Sequence, residues 1–373
     1  MRRNPDLAVT ADRLAGWNTP ERRRDSFKRL HLLHRGGMSL RAANVLHLAH
    51  AERTALMASP GLSALLARPE FCALCLAKDD RILFERYAPD CGPEQLHSMQ
   101  SITKTFVHLA LGSLIDADLV DPKETVGHYV PEAGSAYAGA SIQQVLDMGV
   151  GSNFEEDYEA PYTPAPLPGE AVGYAREEIA MGWRLPPEGE AEFGVRDFAS
   201  ALVARARPEA GDTTQYASPN TDMLGWVIER ASRRPLQETV AELIEAAGLE
   251  GSFHISLDCR GVPVLSGGGV MTARDLARYG LLLGRRSPRF LADAMSGAGT
   301  RYHGSERLRY RNHLLSNGTW VGHPGYAGQF LMVDPAKRAA VAFYSVLETP
   351  HGDEEGYFAN IISALEGLLS AVA

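Results

Sequence analysis

The short spacing in this chain that could do covalent chemistry is Ser101-Ile-Thr-Lys104. Residues three apart on a helix share a face, with Cβ atoms about 5–6 Å apart. The spacing therefore predicts the Lys104 amine beside the Ser101 hydroxyl. A desolvated lysine falls below its reference pKa of about 10.4 and can take the serine proton. Ser101 in the first turn would also hold a developing oxyanion near free backbone N–H groups and the positive end of the helix dipole. Alone, the same four residues equally describe an N-cap serine followed by a solvated lysine. The sequence has no GxSxG elbow, no HExxH, no GxxxxGK[ST] and no strand-anchored GxGxxG.

Other suggestive spacings read as structure. Gly267-Gly-Gly269 has no downstream lysine or ribose-binding acid and is read as a turn. Cys72-Ala-Leu-Cys75 lies in an expected strand, where positions three apart face opposite sides. Redox CxxC thiols start helices, and no second CxxC completes a zinc site, so two buried structural thiols are expected. His31/His34 and His47/His50 have HxxH spacing, which would place each pair on one helical face. They lack a carboxylate cluster and are read as packing or surface histidines. No metal or cofactor is expected.

Several elements must position the serine. Arg41 to Met57 carries apolar residues at helical spacing and predicts a helix. Phe71 to Tyr87 predicts a β-hairpin turning at Asp79-Asp80. Helices are expected over Ser101–Asp118, Met223–Ala231 and Leu236–Ala247, with a short one near Val126. Thr272 should cap a helix running to Leu283, with Asp275 at its third position. Two strands follow around Asp334-Pro335, and Asn360–Leu369 closes as an apolar-faced helix. Residues 150–200 hold 11 acidic against 3 basic residues and read as loops and short helices.

At 373 residues the chain suggests two or three units or one large domain. With 45% apolar and 22% charged residues it can bury a core. A net charge of −9 and a pI near 5.8 speak against nucleic acid as the main partner. No apolar run is long enough for a membrane span, and the basic start lacks an apolar core or cleavage site. A soluble, cytoplasmic protein is expected. Residues 1–56 are basic, with 11 Lys and Arg against 5 Asp and Glu, and suggest a separate unit.

Tyr216-Ala-Ser218 precedes a helix, and His323-Pro-Gly325 falls where an edge strand is expected. With these in place the chain resembles the serine β-lactamase and penicillin-binding-protein superfamily. In style it is similar to class C β-lactamases, family VIII carboxylesterases and 6-aminohexanoate-dimer hydrolases. The resemblance spans about 71–370. It rests on five blocks in order: His97–Phe106, Ser141–Met148, Gln215–Glu229, Gly267–Asp275 and His323–Gly328. Trp17-Asn-Thr-Pro20 through Phe27 loosely matches the N-terminal extension of the dimer-hydrolase group.

That resemblance implies an α+β fold: an antiparallel sheet flanked by helices, plus a mainly helical domain. Residues 1–60 would be the extension, 61–101 and 256–373 the sheet domain, and 102–255 the helical domain, with the site between the last two. Ser101 would be the acylated nucleophile, and Lys104 and Tyr216 would share the base work. The N–H groups of Ser101 and Tyr326 would form the oxyanion hole. Gly325, Ser218 and His323 would contribute substrate contacts, Asp157 and Tyr158 from a rim loop. Relatives that cleave β-lactams carry Lys where His323 stands, which favours small esters or open-chain amides here. Acyl transfer, β-lactamase or D-aminopeptidase activity, and an acylatable sensor without turnover are the alternatives. The role of the basic extension stays open between covering the sheet, mediating a homodimer and shaping the pocket.

Overall fold

The computed structural model describes residues 14–158, 162, 170–205 and 213–372. Its centre is the hairpin read from sequence. Phe71–Lys78 is a strand buried along its first seven residues, as a strand covered on both faces should be. It turns at Asp79, whose φ of 54° is left-handed, and pairs with Arg81–Tyr87. On its other side lies Ala339–Ser345, buried throughout.

These strands belong to a nine-stranded sheet. Its order is Thr300–Arg301, Arg309–Arg311, Leu314–Ser316, Val321–Gly325, Gln329–Asp334, Ala339–Ser345, Phe71–Lys78, Arg81–Tyr87, Ala49–His50. Every pair is antiparallel except the last. Phe330 meets Phe358 of the Tyr357–Ser370 helix at 5.8 Å between ring centroids. Its neighbour Leu331 meets Gly280 of the Ala273–Leu283 helix. Consecutive strand residues point to opposite faces, so one helix covers each face. A Cβ on Gly280 would stand 2.7 Å from that of Ala340, so the bare glycine lets its helix seat. Thr272 caps that helix as expected, accepting from the Asp275 N–H.

A smaller sheet runs Gly37–Leu40, Phe253–Ser256, Gly269–Met271, His97–Ser98, and its last strand feeds the SxxK segment. The Pro219–Ser232 helix buries Met223, Leu224, Val227 and Ile228. Around it pack the helices Thr105–Asp116, Ile142–Leu146, Val195–Ala201 and Leu236–Ala247. Among the described residues no helix is long and apolar enough to cross a membrane.

The helix expected over Arg41–Met57 is absent. The backbone N–H groups of Leu46, Ala49, Ala51 and Arg53 bond to Gly248, Asp80, Ile82 and Leu83 carbonyls instead. Tertiary hydrogen bonding overrides the local period and lays the segment along a sheet edge as a strap. His47 and His50 therefore share no helical face. His31 and His34 do end the Pro20–Leu33 helix, and both pack: His31 against His254 at 4.6 Å, His34 on Trp183 at 5.3 Å. Gly37–Leu40 and Ala49–His50, both within the N-terminal 60 residues, each join a sheet. Cys72 and Cys75 are buried free thiols.

Candidate active site

Ser101 and Lys104 lie on a 3₁₀ turn, Gln100–Lys104, that continues into the Thr105–Asp116 helix. The α-helix expected from Ser101 thus begins four residues later. The tighter turn suits the pair better, because three residues per turn eclipses i and i+3. Lys104 Nζ stands 3.0 Å from Ser101 Oγ, within hydrogen-bond distance. Gln100, just before the serine, has a φ of 49°, a left-handed conformation costly for a non-glycine. Ser98 Oγ holds it, accepting from the Gln100 N–H at 3.2 Å and its amide at 2.8 Å.

Lys104 is fully buried. It donates to Ser218 Oγ at 2.8 Å and to the Ser266 carbonyl. Burial lowers its pKa, and nearby Glu156, Glu177 and Asp222 oppose that shift. Glu177 is 1% exposed and, among the described residues, neither of its carboxyl oxygens has a hydrogen-bond partner; its pKa is pushed well up, first by burial. Asp222, also buried, rises to about 7. Tyr216 lines the cavity with Ser101, and its ring lies under Lys104 Nζ, 5.1 Å from centroid to nitrogen. Burial drives the phenol well above its ordinary value of 10. Tyr216 therefore rests as a neutral phenol.

The strand Val321–Gly325 brings the last of the five blocks, His323–Gly328, alongside this turn. His323 is completely buried: Nδ1 donates to the Pro324 carbonyl at 2.6 Å and Nε2 accepts from the Tyr310 hydroxyl at 3.0 Å. Burial holds it neutral, and it lies behind the cavity wall, which Pro324 and Gly325 form. Tyr326 follows in a tight turn with Ala327 at φ 62° and Gly328 at φ 103°. Gln329 Nε2 donates to the Tyr326 carbonyl at 2.9 Å.

A cavity of about 540 Å³ opens at Ser101 and is lined by Tyr216, Gly325, Tyr326, Glu156 and Tyr158. Asp157, between the last two, is exposed and outside that lining. Tyr158 is 40% exposed, stands 5.0 Å from Tyr326 and donates to Glu156 at 2.8 Å. Glu159, from the same acidic run, lies outside the described residues. Asp353 and Glu354 also line the cavity, together with Leu347, Phe358 and Ile361. No Lys or Arg occurs among its described lining residues.

Two functional neighbours escaped sequence reading. Glu156 accepts from the Ser218 N–H at 2.6 Å and from its hydroxyl at 2.8 Å. It stands inside the acidic 150–200 stretch noted from sequence, and its i, i+2 spacing to Tyr158 was the available signal. Arg23, on the Pro20–Leu33 helix, is 1% exposed. It donates to the Leu347 and Thr349 carbonyls at 2.6 and 2.7 Å and sits 5.3 Å over the Tyr326 ring. Nothing in its local sequence marks it.

The Beta-lactamase family model matches residues 54–366, and the chain belongs to that family. The chain is 32% identical over 213 residues to the 6-aminohexanoate-dimer hydrolase of Paenarthrobacter ureafaciens. That match takes in 57% of this chain and 51% of the relative, so it spans about half the relative's length. A Bacillus anthracis protein described as a 6-aminohexanoate-dimer hydrolase superposes with a TM-score of 0.77 at 19% identity, covering 99% of this chain and 97% of its own. A D-stereospecific amidohydrolase from Streptomyces sp. gives 0.58 at 19% identity, covering 86% and 100%. Family and fold agree: the chain has the beta-lactamase fold.

Proposed function

We propose that this protein is a cofactor-free serine hydrolase that cleaves small esters or open-chain amides through an acyl-enzyme on Ser101. The observation that carries this reading is Ser101 Oγ 3.0 Å from the fully buried Lys104 amine at the wall of the cavity. Ser101 Oγ attacks the carbonyl carbon while its proton passes to Lys104 Nζ. As the bond to the leaving group breaks, the Tyr216 hydroxyl protonates that group and is itself reprotonated from Lys104. Water then adds to the acyl ester by the reverse route and releases the acid. The N–H groups of Ser101 and Tyr326 would hold the oxyanion, each such donor typically worth about 3 kcal/mol.

Gly325 supports that second donor. A Cβ there would stand 2.7 Å from both the Met99 carbonyl and Gln329 Cβ. Gly325→Ala must therefore push the Tyr326 turn away from the Ser101 turn. Ester turnover should fall about 10²-fold, the cost of losing one donor. Progress curves and circular dichroism on the same preparation separate this from unfolding.

Charge supports the substrate class. The cavity presents Glu156, Asp353 and Glu354 and, among the described residues, no Lys or Arg to meet a substrate carboxylate. His323 is buried and neutral, which speaks against efficient β-lactam hydrolysis. An acyl chain ending in an ammonium should be preferred. The test compares p-nitroanilides of 6-aminohexanoic acid, hexanoic acid and the monoacyl adipate. The aminohexanoyl amide should exceed the carboxylated one by at least about tenfold in kcat/KM, a preference that salt weakens. Preference for the carboxylate would overturn this substrate class. Absence of both turnover and an acyl adduct on p-nitrophenyl butyrate would overturn the hydrolase reading itself.

A further inference from the structure

The direction of the Lys104 lone pair is set outside the catalytic pair. A neutral amine has two N–H bonds and one lone pair. Three groups surround Lys104 Nζ: Ser101 Oγ at 3.0 Å, Ser218 Oγ at 2.8 Å and the Ser266 carbonyl. The carbonyl can only accept, so it takes one N–H. A hydroxyl can donate or accept, so Ser218 could take the other N–H or could donate to the lone pair. If it donated, Ser101 would face an N–H and the base would be blocked.

Glu156 decides between these arrangements. Its carboxylate, an acceptor only, receives the Ser218 N–H at 2.6 Å and the Ser218 hydroxyl at 2.8 Å, with the Tyr158 hydroxyl also at 2.8 Å. The Ser218 proton is therefore committed to Glu156, and Ser218 Oγ must accept from Lys104. The lone pair is left with one direction. We propose that Glu156 is a positioning residue which, through the Ser218 hydroxyl, aims the lone pair of neutral Lys104 at the Ser101 hydroxyl. This rests on the reading of Lys104 as the base.

Glu156→Gln is nearly isosteric but puts an amide donor in reach of Ser218 Oγ. The hydroxyl is then free to turn toward Lys104. On p-nitrophenyl butyrate, a neutral ester, kcat should fall about 10²-fold with KM within about twofold, as for a misaligned general base. Ser218→Ala removes the competing hydroxyl, so kcat should fall only about tenfold. In that background Glu156→Gln should cost almost nothing, a strong departure from additivity. Thermal midpoints check that each variant is folded.

A pH profile adds a readout that a packing role would not move. Glu156, Glu177 and Asp222 are the acids whose charge acts on Lys104, and buried His313 and His323 and the Tyr216 ring also lie near it. Loss of the Glu156 charge removes a neighbour that favours the ammonium, so the acid limb of kcat/KM should move to lower pH. Asp222, held near 7, titrates in the same range, and Asp222→Asn as a control identifies its share.

Equal costs of Glu156→Gln with and without Ser218, or an unmoved acid limb, would overturn the proposal. So would a raised KM with unchanged kcat confined to cationic substrates, which would make Glu156 a substrate contact. Fluorophosphonate labelling of Ser101 in the wild type distinguishes the two levels. Labelling with additive costs removes only the role of Glu156; no labelling removes the reading of Ser101 and Lys104, and Glu156 with it.

Discussion

Ser101→Ala is expected to lower turnover of p-nitrophenyl butyrate by at least about 10³-fold, leaving a rate set by binding and the oxyanion donors alone. A nucleophile and its base act as one unit, so removing either removes nearly the whole advantage. The fold should not notice. Ser101 lines the cavity and its side chain contacts Lys104, so deletion of one hydroxyl leaves the core intact. Intact-mass measurement after brief exposure to the ester should show one acyl group on the wild type and none on the variant. Equal rates and equal adducts for the two proteins would reject Ser101 as nucleophile.

What could be read early follows what is local. The Phe71–Tyr87 hairpin, the Thr272 cap and the Leu236–Ala247 helix were legible because turn chemistry, capping and period are properties of neighbouring residues. The Ser101–Lys104 contact was legible for the same reason, although the turn is 3₁₀ and not α. Arg41–Met57 misled because its amides bond to Gly248 and to the sheet edge near Asp80, contacts no local pattern encodes. Glu156 and Arg23 were missed on the same ground: each acts on a partner far along the chain, Ser218 and the Leu347–Thr349 backbone. His323 is the intermediate case. Its position was readable, but its burial behind Pro324 depends on Tyr310, which arrives from a neighbouring part of the sheet.

The open role of the N-terminal segment also becomes physical. Arg23 ties the Pro20–Leu33 helix to the 347–350 backbone and lies over Tyr326, whose N–H is the proposed oxyanion donor. Phe27 of the same helix stands 6.5 Å from that ring. The segment thus braces one wall of the cavity from behind. Of the three roles left open by sequence, shaping the pocket is the one these contacts support.

Lys104→Met should separate catalysis from stability. Methionine fills much of the same space but cannot take a proton, so kcat should fall about 10³-fold, close to the loss at Ser101. Stability should move the other way. Burial depresses the Lys104 pKa below the ordinary 10.5, so the unfolded chain binds a proton that the folded one resists. Between the lowered folded value and 10.5 the wild type therefore loses stability as pH falls, and above 10.5 this penalty vanishes. The variant has no such penalty. Its thermal midpoint should exceed that of the wild type near neutral pH, with the margin shrinking as pH rises toward 10 and above. The stranded Ser218 hydroxyl and Ser266 carbonyl oppose this gain by a constant amount, so the slope against pH carries the test. A margin that does not change with pH would mean Lys104 stays charged in the folded state at neutral pH. The amine could not then be the base, and proton abstraction from Ser101 would need another group.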